Sequence, residues 1–305
     1  MYEKLFDRRG LSFDRLRALV EVAAAGGIAK AVGDDSVRQS QYSRQLKELE
    51  QYFGAELTCR KGKSLTLTPA GRRLAAATRA AFASLCDIRS ELANVPMEVT
   101  IGAGEALQHW ILVDAVGVLH GSWPQVLITL VNSQTTAVVD ALAEHSLDFG
   151  LVRSNAIPKT LHSKVVGHLD YRFFVPHSLR MKLATEDPVR LFTKAPLAML
   201  EGGGDYTQHI MEVARRLRAP LNIGMACTTL PQVCRAVRSG AFAGVLPTFA
   251  NAELPTDKYA VYDLPALKAL RRPLALCWHP RLFAIRENSE RLTDALAEVI
   301  GNRLR

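Results

Sequence analysis

The chain has 305 residues, enough for about two domains at roughly 100–200 residues each, and its 48% hydrophobic and 22% charged composition is ordinary for a globular protein. Its 20 Gly and 14 Pro are too few for a fibrous or low-complexity chain. The net charge is +8. The longest run without a charged residue, 115–139, is broken by His120, Ser122, Pro124 and Gln125, and the opening MYEKLFDRRG has no apolar leader core, so the expectation is a soluble cytoplasmic protein with no membrane partner.

Phe13, Leu16, Leu19, Val20 and Ala23 recur at helical spacing, which predicts a helix over Phe13–Ala24. Ser12 suits its N-cap, Asp14 its positive end, and Gly26-Gly27 its stop. A short helix at about Ile28–Val32 and a turn at Gly33-Asp34-Asp35 follow. Ser36-Val37-Arg38-Gln39 has the form of a capping box, with Ser36 as cap. In the helix it opens, Tyr42, Leu46, Leu49 and Phe53 share one face, and Gln39, Ser40, Gln41, Ser43, Arg44, Lys47 and Glu48 fill the other. Helix, short helix, tight turn, helix is a helix-turn-helix.

Two short strands, 57–60 and 64–68, flank Lys61-Gly62-Lys63 and predict a basic hairpin. Between Arg38 and Arg73 eight basic residues face three acidic ones, a surplus of five within the total of +8. Charge concentrated in this way is the footprint of a polyanion partner, although a solvated basic surface fits it equally.

Pro69 fits the first turn of a long helix reaching about Asn94. Leu74, Ala81 and Ile88 form one row of a heptad pattern; Thr78, Leu85 and Leu92 form the other. Such rows suit pairing with a second copy, or packing within the helix's own domain. From Glu98 onward, apolar strands alternate with helices: 99–103, a helix at 107–119, 126–131, a helix at 136–144, and 148–152. A second set runs from Leu197 to Leu246, and a late strand at 273–278 precedes a helix at 289–300. The pattern predicts parallel sheets with helices on both faces, in two lobes joined by crossing strands around a small-molecule cleft. Five cysteines with no CxxC pair argue against disulfides and zinc, and each is expected to be a small buried hydrophobe.

Across Ala24–Gly71 the sequence AAGGIAKAVGDDSVRQSQYSRQLKELEQYFGAELTCRKGKSLTLTPAG resembles the LysR-type transcriptional regulators without a gap. Gly26, Ala31, Val37, Gln39, Ser43, Arg44, Gln45, Leu49, Glu50, Gly54, Leu57, Arg60, Leu67, Thr68, Ala70 and Gly71 carry the match, and Val99–Gly102, Leu147-Asp148 and Gly240–Pro247 extend it more weakly. The resemblance implies a winged helix-turn-helix domain over 1–69, a linker and dimerisation helix over 70–96, and a two-lobed, periplasmic-binding-protein-like α/β effector domain over 97–305. Lobe I would take about 97–168 and 273–305, and lobe II about 169–272.

Four positions depart from the family pattern: Asp35 replaces an apolar residue, Arg38 a small hydroxyl residue, Ser40 a proline, and Thr58 a phenylalanine. Asp35 is therefore expected either in an exposed turn or paired with Arg38 or Lys30, because an unpaired buried carboxylate is costly.

The resemblance further implies double-stranded DNA as partner, with the helix 39–52 in the major groove. Arg38, Gln39, Ser40, Gln41, Ser43 and Arg44 stand near its start, where Gln suits adenine and Arg suits guanine. Lys47, Arg60, Lys61 and Lys63 are assigned to phosphates. Arg44 also reads as an ion-pair partner of Glu48 at i+4. Effector contacts are expected at strand ends: Gly104, Glu105, Ser133, Gln134, Thr135, Gly203, Cys227, Thr228 and Thr229. Ser133, Thr135 and Thr229 read equally as helix N-caps. Glu105 would repel an anion, so the effector, of unknown identity, is expected to be cationic, neutral or absent. The heptad helix implies a homodimer; a homotetramer rests on resemblance alone. No metal, cofactor or catalytic role is expected, since the chain carries no Walker loop, HExxH or GxSxG motif. A metabolite sensor whose helix-turn-helix has lost DNA competence is the alternative, motivated by Asp34, Asp35 and Ser40.

Overall fold

The computed structural model describes residues 3–5, 7–61, 64–93, 97–202, 204–217, 220–285 and 288–304. The amino-terminal head comprises α1 (Phe13–Ala25), α2 (Ile28–Val32), α3 (Ser36–Phe53) and the hairpin β1 (Thr58–Lys61) and β2 (Ser64–Leu67). Ser12 caps α1, its hydroxyl accepting from the Arg15 N–H, and Gly26 ends the helix in the left-handed region. Leu19, Val22, Tyr42, Leu46, Leu49 and Leu57 close a small core to which Ala75 of the next helix contributes. That helix, α4 (Pro69–Leu92), starts against the head: Gly71 lies so close to the Leu57 carbonyl that a Cβ would stand 2.1 Å from it.

The carboxyl-terminal part has two lobes. Lobe I contains β3 (Met97–Ala103), α5 (Glu105–Leu107), a π-helical turn at Gln108–Leu112, α6 (Val113–Ser122), β4 (Val126–Asn132), α7 (Thr135–Ala143), β5 (Phe149–Arg153) and β6 (His162–Leu169). Lobe II contains β7 (Tyr171–Pro176), α8 (His177–Leu183), α9 (Pro188–Lys194), β8 (Leu197–Leu200), α10 (Asp205–Arg216), β9 (Ile223–Cys227), α11 (Leu230–Arg238), β10 (Gly244–Pro247) and β11 (Tyr259–Tyr262). The chain then returns to lobe I as β12 (Arg272–Trp278), α12 (Leu282–Ile285) and α13 (Ser289–Arg303).

The lobe I sheet has the order β4-β3-β5-β12-β6 and is mixed, not parallel throughout as the alternating pattern predicts. β3 runs parallel to β4 and β5, whereas β12 is antiparallel to both β5 and β6. The reason is topological: a strand returning from the other lobe enters at the opposite end of the sheet. In lobe II, β7 is flanked by β10 and β11 in antiparallel register, and β8 pairs with β9 in parallel. One apolar core runs through both lobes, from Ile101, Phe149 and Leu276 to Phe174, Val233 and Leu246. Cys227, Cys234 and Cys277 are buried as expected; Cys59 and Cys86 are exposed, which corrects that expectation for two of the five. Among the described residues no helix is long and apolar enough to cross a membrane.

The long helix also touches lobe I, where the Arg79 guanidinium donates to the Glu144 carbonyl. Burial lowers the Arg79 pKa, and the Glu144 carboxylate opposes that shift. Next to this contact His145 adopts a left-handed φ of 55° and lies 4.1 Å, centroid to centroid, from His279. Desolvation, then His279, Arg281 and Arg79, lower its pKa from 6.5 to about 4. The unfolded chain therefore binds a proton between pH 6.5 and about 4 that the native state does not, so native stability falls as pH falls through that window. Urea denaturation from pH 7 to 4 should show this slope, and His145→Asn, which tolerates the left-handed backbone, should flatten it by up to about one proton. An unchanged slope would mean that another group carries the proton.

Candidate nucleic-acid interface and effector cleft

Asp35, not Ser36, is the N-cap of α3: its Oδ1 accepts from the Val37 and Arg38 N–H groups, both at 3.0 Å. The expected capping box does not form: Ser36 is already the first residue of α3, and the Gln39 N–H that it would accept donates to the Asp35 carbonyl. Asp35 is exposed and its charge faces the positive end of the helix dipole, which resolves its departure from the family pattern. Gln39 is half-buried, and its Nε2 donates to the Gly33 carbonyl at 2.7 Å, so its amide is engaged within the turn.

Arg38, Ser40, Gln41, Ser43, Arg44 and Lys47 are exposed on α3, and Gln39, Ser40, Ser43, Arg44 and Lys47 line one open, shallow groove. The Arg38 guanidinium also lies over the Tyr42 ring, 5.8 Å from its centroid. The buried face of α3 is fixed by Leu46 and Leu49, and by Tyr42, whose hydroxyl donates to Glu21. Glu48 accepts from Arg15 Nε at 2.5 Å and from Arg44 Nε at 3.1 Å, and these two hydrogen bonds hold its carboxyl below the usual range. Arg44 thus forms the i,i+4 pair that its spacing allows while remaining 83% exposed. Arg60 is exposed on β1, and Lys61 closes that strand; Lys63 lies outside the described residues. Glu50 ties the hairpin to α3, accepting from the Leu57 and Thr58 N–H groups and the Thr58 hydroxyl.

The lobes meet near their strand ends, where Arg153 of β5 contacts Asp205 after β8 and α5 packs against α11. Glu105 is exposed in the first turn after β3, next to Gly104, and Gln108 Nε2 donates to the Ala103 carbonyl. Ser133 and Thr135 are half-buried after β4, and Gln134 is exposed. Neither Ser133 nor Thr135 caps α7, whose N-cap Gln134 makes no side-chain bond. In lobe II, Thr229 does cap α11, accepting from the Gln232 N–H, and Thr228 donates to Gln232 Oε1 through both its N–H and its hydroxyl. The Cys227 thiol is buried in the shared core, and burial raises its pKa. Gly203 lies outside the described residues. Among those described, no group of three or more His, Cys, Asp or Glu could hold a metal.

Two lobe-to-lobe contacts escape sequence reading. Arg153 Nη1, at the end of β5, donates to Asp205 Oδ2 at 2.5 Å, and that hydrogen bond lowers the Asp205 pKa. Glu253, from lobe II, accepts from His109 Nε2 at 2.9 Å and Trp110 Nε1 at 2.7 Å on the lobe I π-turn, and from Arg238 at 3.0 Å. Desolvation raises the Glu253 pKa, but these bonds outweigh it and hold the carboxyl below its ordinary value. The partners stand 52 and 144 residues apart, too far for any local pattern to pair them. A π-turn is rare and frequent at functional sites, yet it has no sequence signature here. Near Arg153, burial pushes the Tyr171 phenol up to about 12, and the Tyr206 hydroxyl donates to the Val245 carbonyl.

Two family models match the chain. One, described as bacterial regulatory helix-turn-helix protein, lysR family, covers residues 13–72. The other, LysR substrate binding domain, covers residues 94–299. The HTH-type transcriptional regulator YnfL of Escherichia coli K12 is 28% identical over 167 residues, 53% of this chain and 56% of that protein, so the matched part spans about half of that relative. A full-length OxyR from Pseudomonas aeruginosa superposes with a TM-score of 0.66 at 20% identity, covering 96% of this chain and 95% of that one. Full-length CbnR, solved in complex with its target DNA, gives 0.57 at 16% identity, with coverages of 96% and 100%.

The cap geometry makes a specific expectation. Asp35→Ala should destabilise the head by about 1 kcal/mol in chemical denaturation, while Asp35→Asn, which keeps the accepting oxygen, should stay within a few tenths. Equal losses in the two variants would assign the effect to charge and not to the cap.

Proposed function

Because the chain belongs to the LysR family of transcriptional regulators, we propose that it binds double-stranded DNA through its winged head, as a homodimer paired along α4, under the control of a small-molecule effector held between its lobes. The observation that carries this reading is the exposed α3 surface: Ser40, Gln41, Ser43, Arg44 and Lys47 face solvent while the opposite side of the helix is locked into the head core. In this reading Ser40, Gln41, Ser43 and Arg44 meet base edges, Arg38 flanks them, and Lys47, Arg60, Lys61 and Lys63 neutralise phosphates. Gln39 reaches a base only by releasing the Gly33 carbonyl. CbnR, solved with its target DNA, shares the fold and lends support.

The carboxyl-terminal half of α4 supports the dimer. Leu85, Ile88 and Leu92 are 50%, 51% and 82% exposed in the single chain, an apolar stripe that a second α4 would cover. By contrast Thr78, earlier in the same heptad rows, is buried, so only the outer half of the helix is free to pair. In this reading the head takes 1–69, the linker helix 70–96 and the effector domain 97–305. For the effector, Glu105 at the mouth of the cleft favours a cationic or neutral molecule, with Gly104, Ser133, Gln134, Thr135, Thr228 and Thr229 supplying polar contacts. The role of Asp35 as a cap speaks against a degenerate head, because its carboxylate serves the backbone of α3.

Mobility-shift titration with DNA from upstream of its own gene tests the proposal. Arg60→Ala should weaken binding to that DNA and to unrelated DNA alike, lowering the slope of log K against log salt by about one unit. A loss confined to one sequence would move Arg60 to base readout, and no binding by the unaltered protein would leave the sensor without a DNA output.

A further inference from the structure

Beside the hinge, at the β6 edge of the lobe I sheet, lies a cavity of about 590 Å³, within the size range of small-ligand sites. Its walls come from every part of the hinge: His168 and Asp170 on the first chain crossing, Arg271 on the second, Phe249 and Asn251 from lobe II, and Arg303 from α13 of lobe I. Arg172 completes a lining that holds three guanidinium groups and one carboxylate.

Each guanidinium lies close to an acidic residue. Arg172 Nε is 2.8 Å from Asp263, Arg271 Nε is 3.3 Å from Asp170, and Arg303 Nη1 is 3.2 Å from Asp114. A guanidinium has five N–H donors, so these contacts leave donors for the cavity. The three carboxylate side chains are 71%, 42% and 56% exposed, and pairs this exposed hold their partners weakly. An anion in the concavity, met by guanidinium forks in bidentate geometry, has the stronger claim on them.

We propose that this hinge-side cavity binds a compact anionic metabolite carrying at least two acidic groups, bridging Arg271 and Arg172 on one side to Arg303 on the other. The site goes beyond the cleft reading above and is independent of it, since Glu105 disfavours an anion in the front cleft. Occupancy ties lobe I to lobe II across both crossings and so biases the angle between them. Phe249 extends that link inward: its ring lies 5.4 Å from Trp110, whose indole is bonded to Glu253.

Carboxylate and phosphate ligands share this chemistry, so isothermal titration of the full-length protein would use citrate in one arm and pyrophosphate in the other, at ionic strength matched with NaCl. At least one arm should saturate at one site per chain and change tryptophan fluorescence, and the arm that saturates names the acidic group. Asn251→Asp places a carboxylate at an exposed position of the lining and should weaken binding roughly tenfold or more, as should Arg303→Gln, while Glu105→Gln in the front cleft should leave it unchanged. Thermal unfolding of each variant, within a few degrees of the parent, establishes that it folds. Absence of saturable binding in both arms overturns the proposal. So does binding that Asn251→Asp and Arg303→Gln leave intact, or binding that responds only to Glu105→Gln. DNA mobility shift of the same variants is a separate readout, so failure here leaves the DNA-binding proposal standing.

Discussion

The two lobes are joined covalently at only two places, between Leu169 and Tyr171 and between Leu270 and Arg272, yet they share one apolar core. That combination constrains everything the carboxyl-terminal part can do. Strands β6 and β12 carry the crossings and lie side by side at one edge of the lobe I sheet, so opening is rotation about that edge. Rotation has to separate the shared apolar core, where α11 packs against α5, which hydrophobic burial opposes. It also has to break Arg153–Asp205 and the Glu253 bonds to His109 and Trp110. The Arg153–Asp205 pair is largely exposed and contributes little, whereas Glu253 serves three donors beside a buried indole, and a lone carboxylate left there would be costly. The Glu253 contact is therefore the polar lock of the closed arrangement.

The head follows a different logic. Its core is small, so the orientation of α3 depends on polar ties at three points along its length. Asp35 fixes the start, the Tyr42 hydroxyl on Glu21 fixes the middle against α1, and Glu48 holds Arg15 of α1 and Arg44 of α3 together. Glu50 then hangs the hairpin from the same helix. The acidic residues in this basic segment thus act inward, on backbone or on α1, and leave the outward surface cationic. Net charge locates a polyanion partner only in outline; the inward use of these carboxylates is what turns a mixed sequence into a face of one sign.

Much of this is legible from periodicity. The extents of α1, α2 and the hairpin follow from apolar spacing and glycine stops, and the start of α4 follows from Pro69. The cap of α3 differs from its pattern by one residue, since Ser36 satisfies the capping-box form while Asp35, a better acceptor, precedes it. β6 escapes the pattern because an edge strand exposed over His162–Val165 lacks a continuous apolar run, and β11 because its four residues are all half-buried. The mixed lobe I sheet is hidden because strand direction depends on where the chain re-enters, which β12 does not encode locally. At the cleft, residue types at strand ends are readable. The pairs that close it, Arg153 with Asp205 and Glu253 with His109, join segments that only the folded chain brings together.

Transmission between sensor and head has one intrachain route among the described residues, through α4. Its first turns belong to the head core by way of Ala75, and one turn later Arg79 reaches the carbonyl of Glu144 at the end of α7. Helix α7 itself starts at Thr135, at the strand end that faces the cleft. A ligand touching Ser133 or Thr135 therefore acts on one end of a nine-residue helix whose other end holds the linker. Such a ligand shifts the angle between head and lobe I only as far as it binds the two arrangements with different affinity. The Arg79 contact also sets the direction of that bias. A half-buried guanidinium that loses its carbonyl acceptor is left less well satisfied, so displacing α7 favours arrangements in which α4 swings Arg79 out to solvent and carries the head with it.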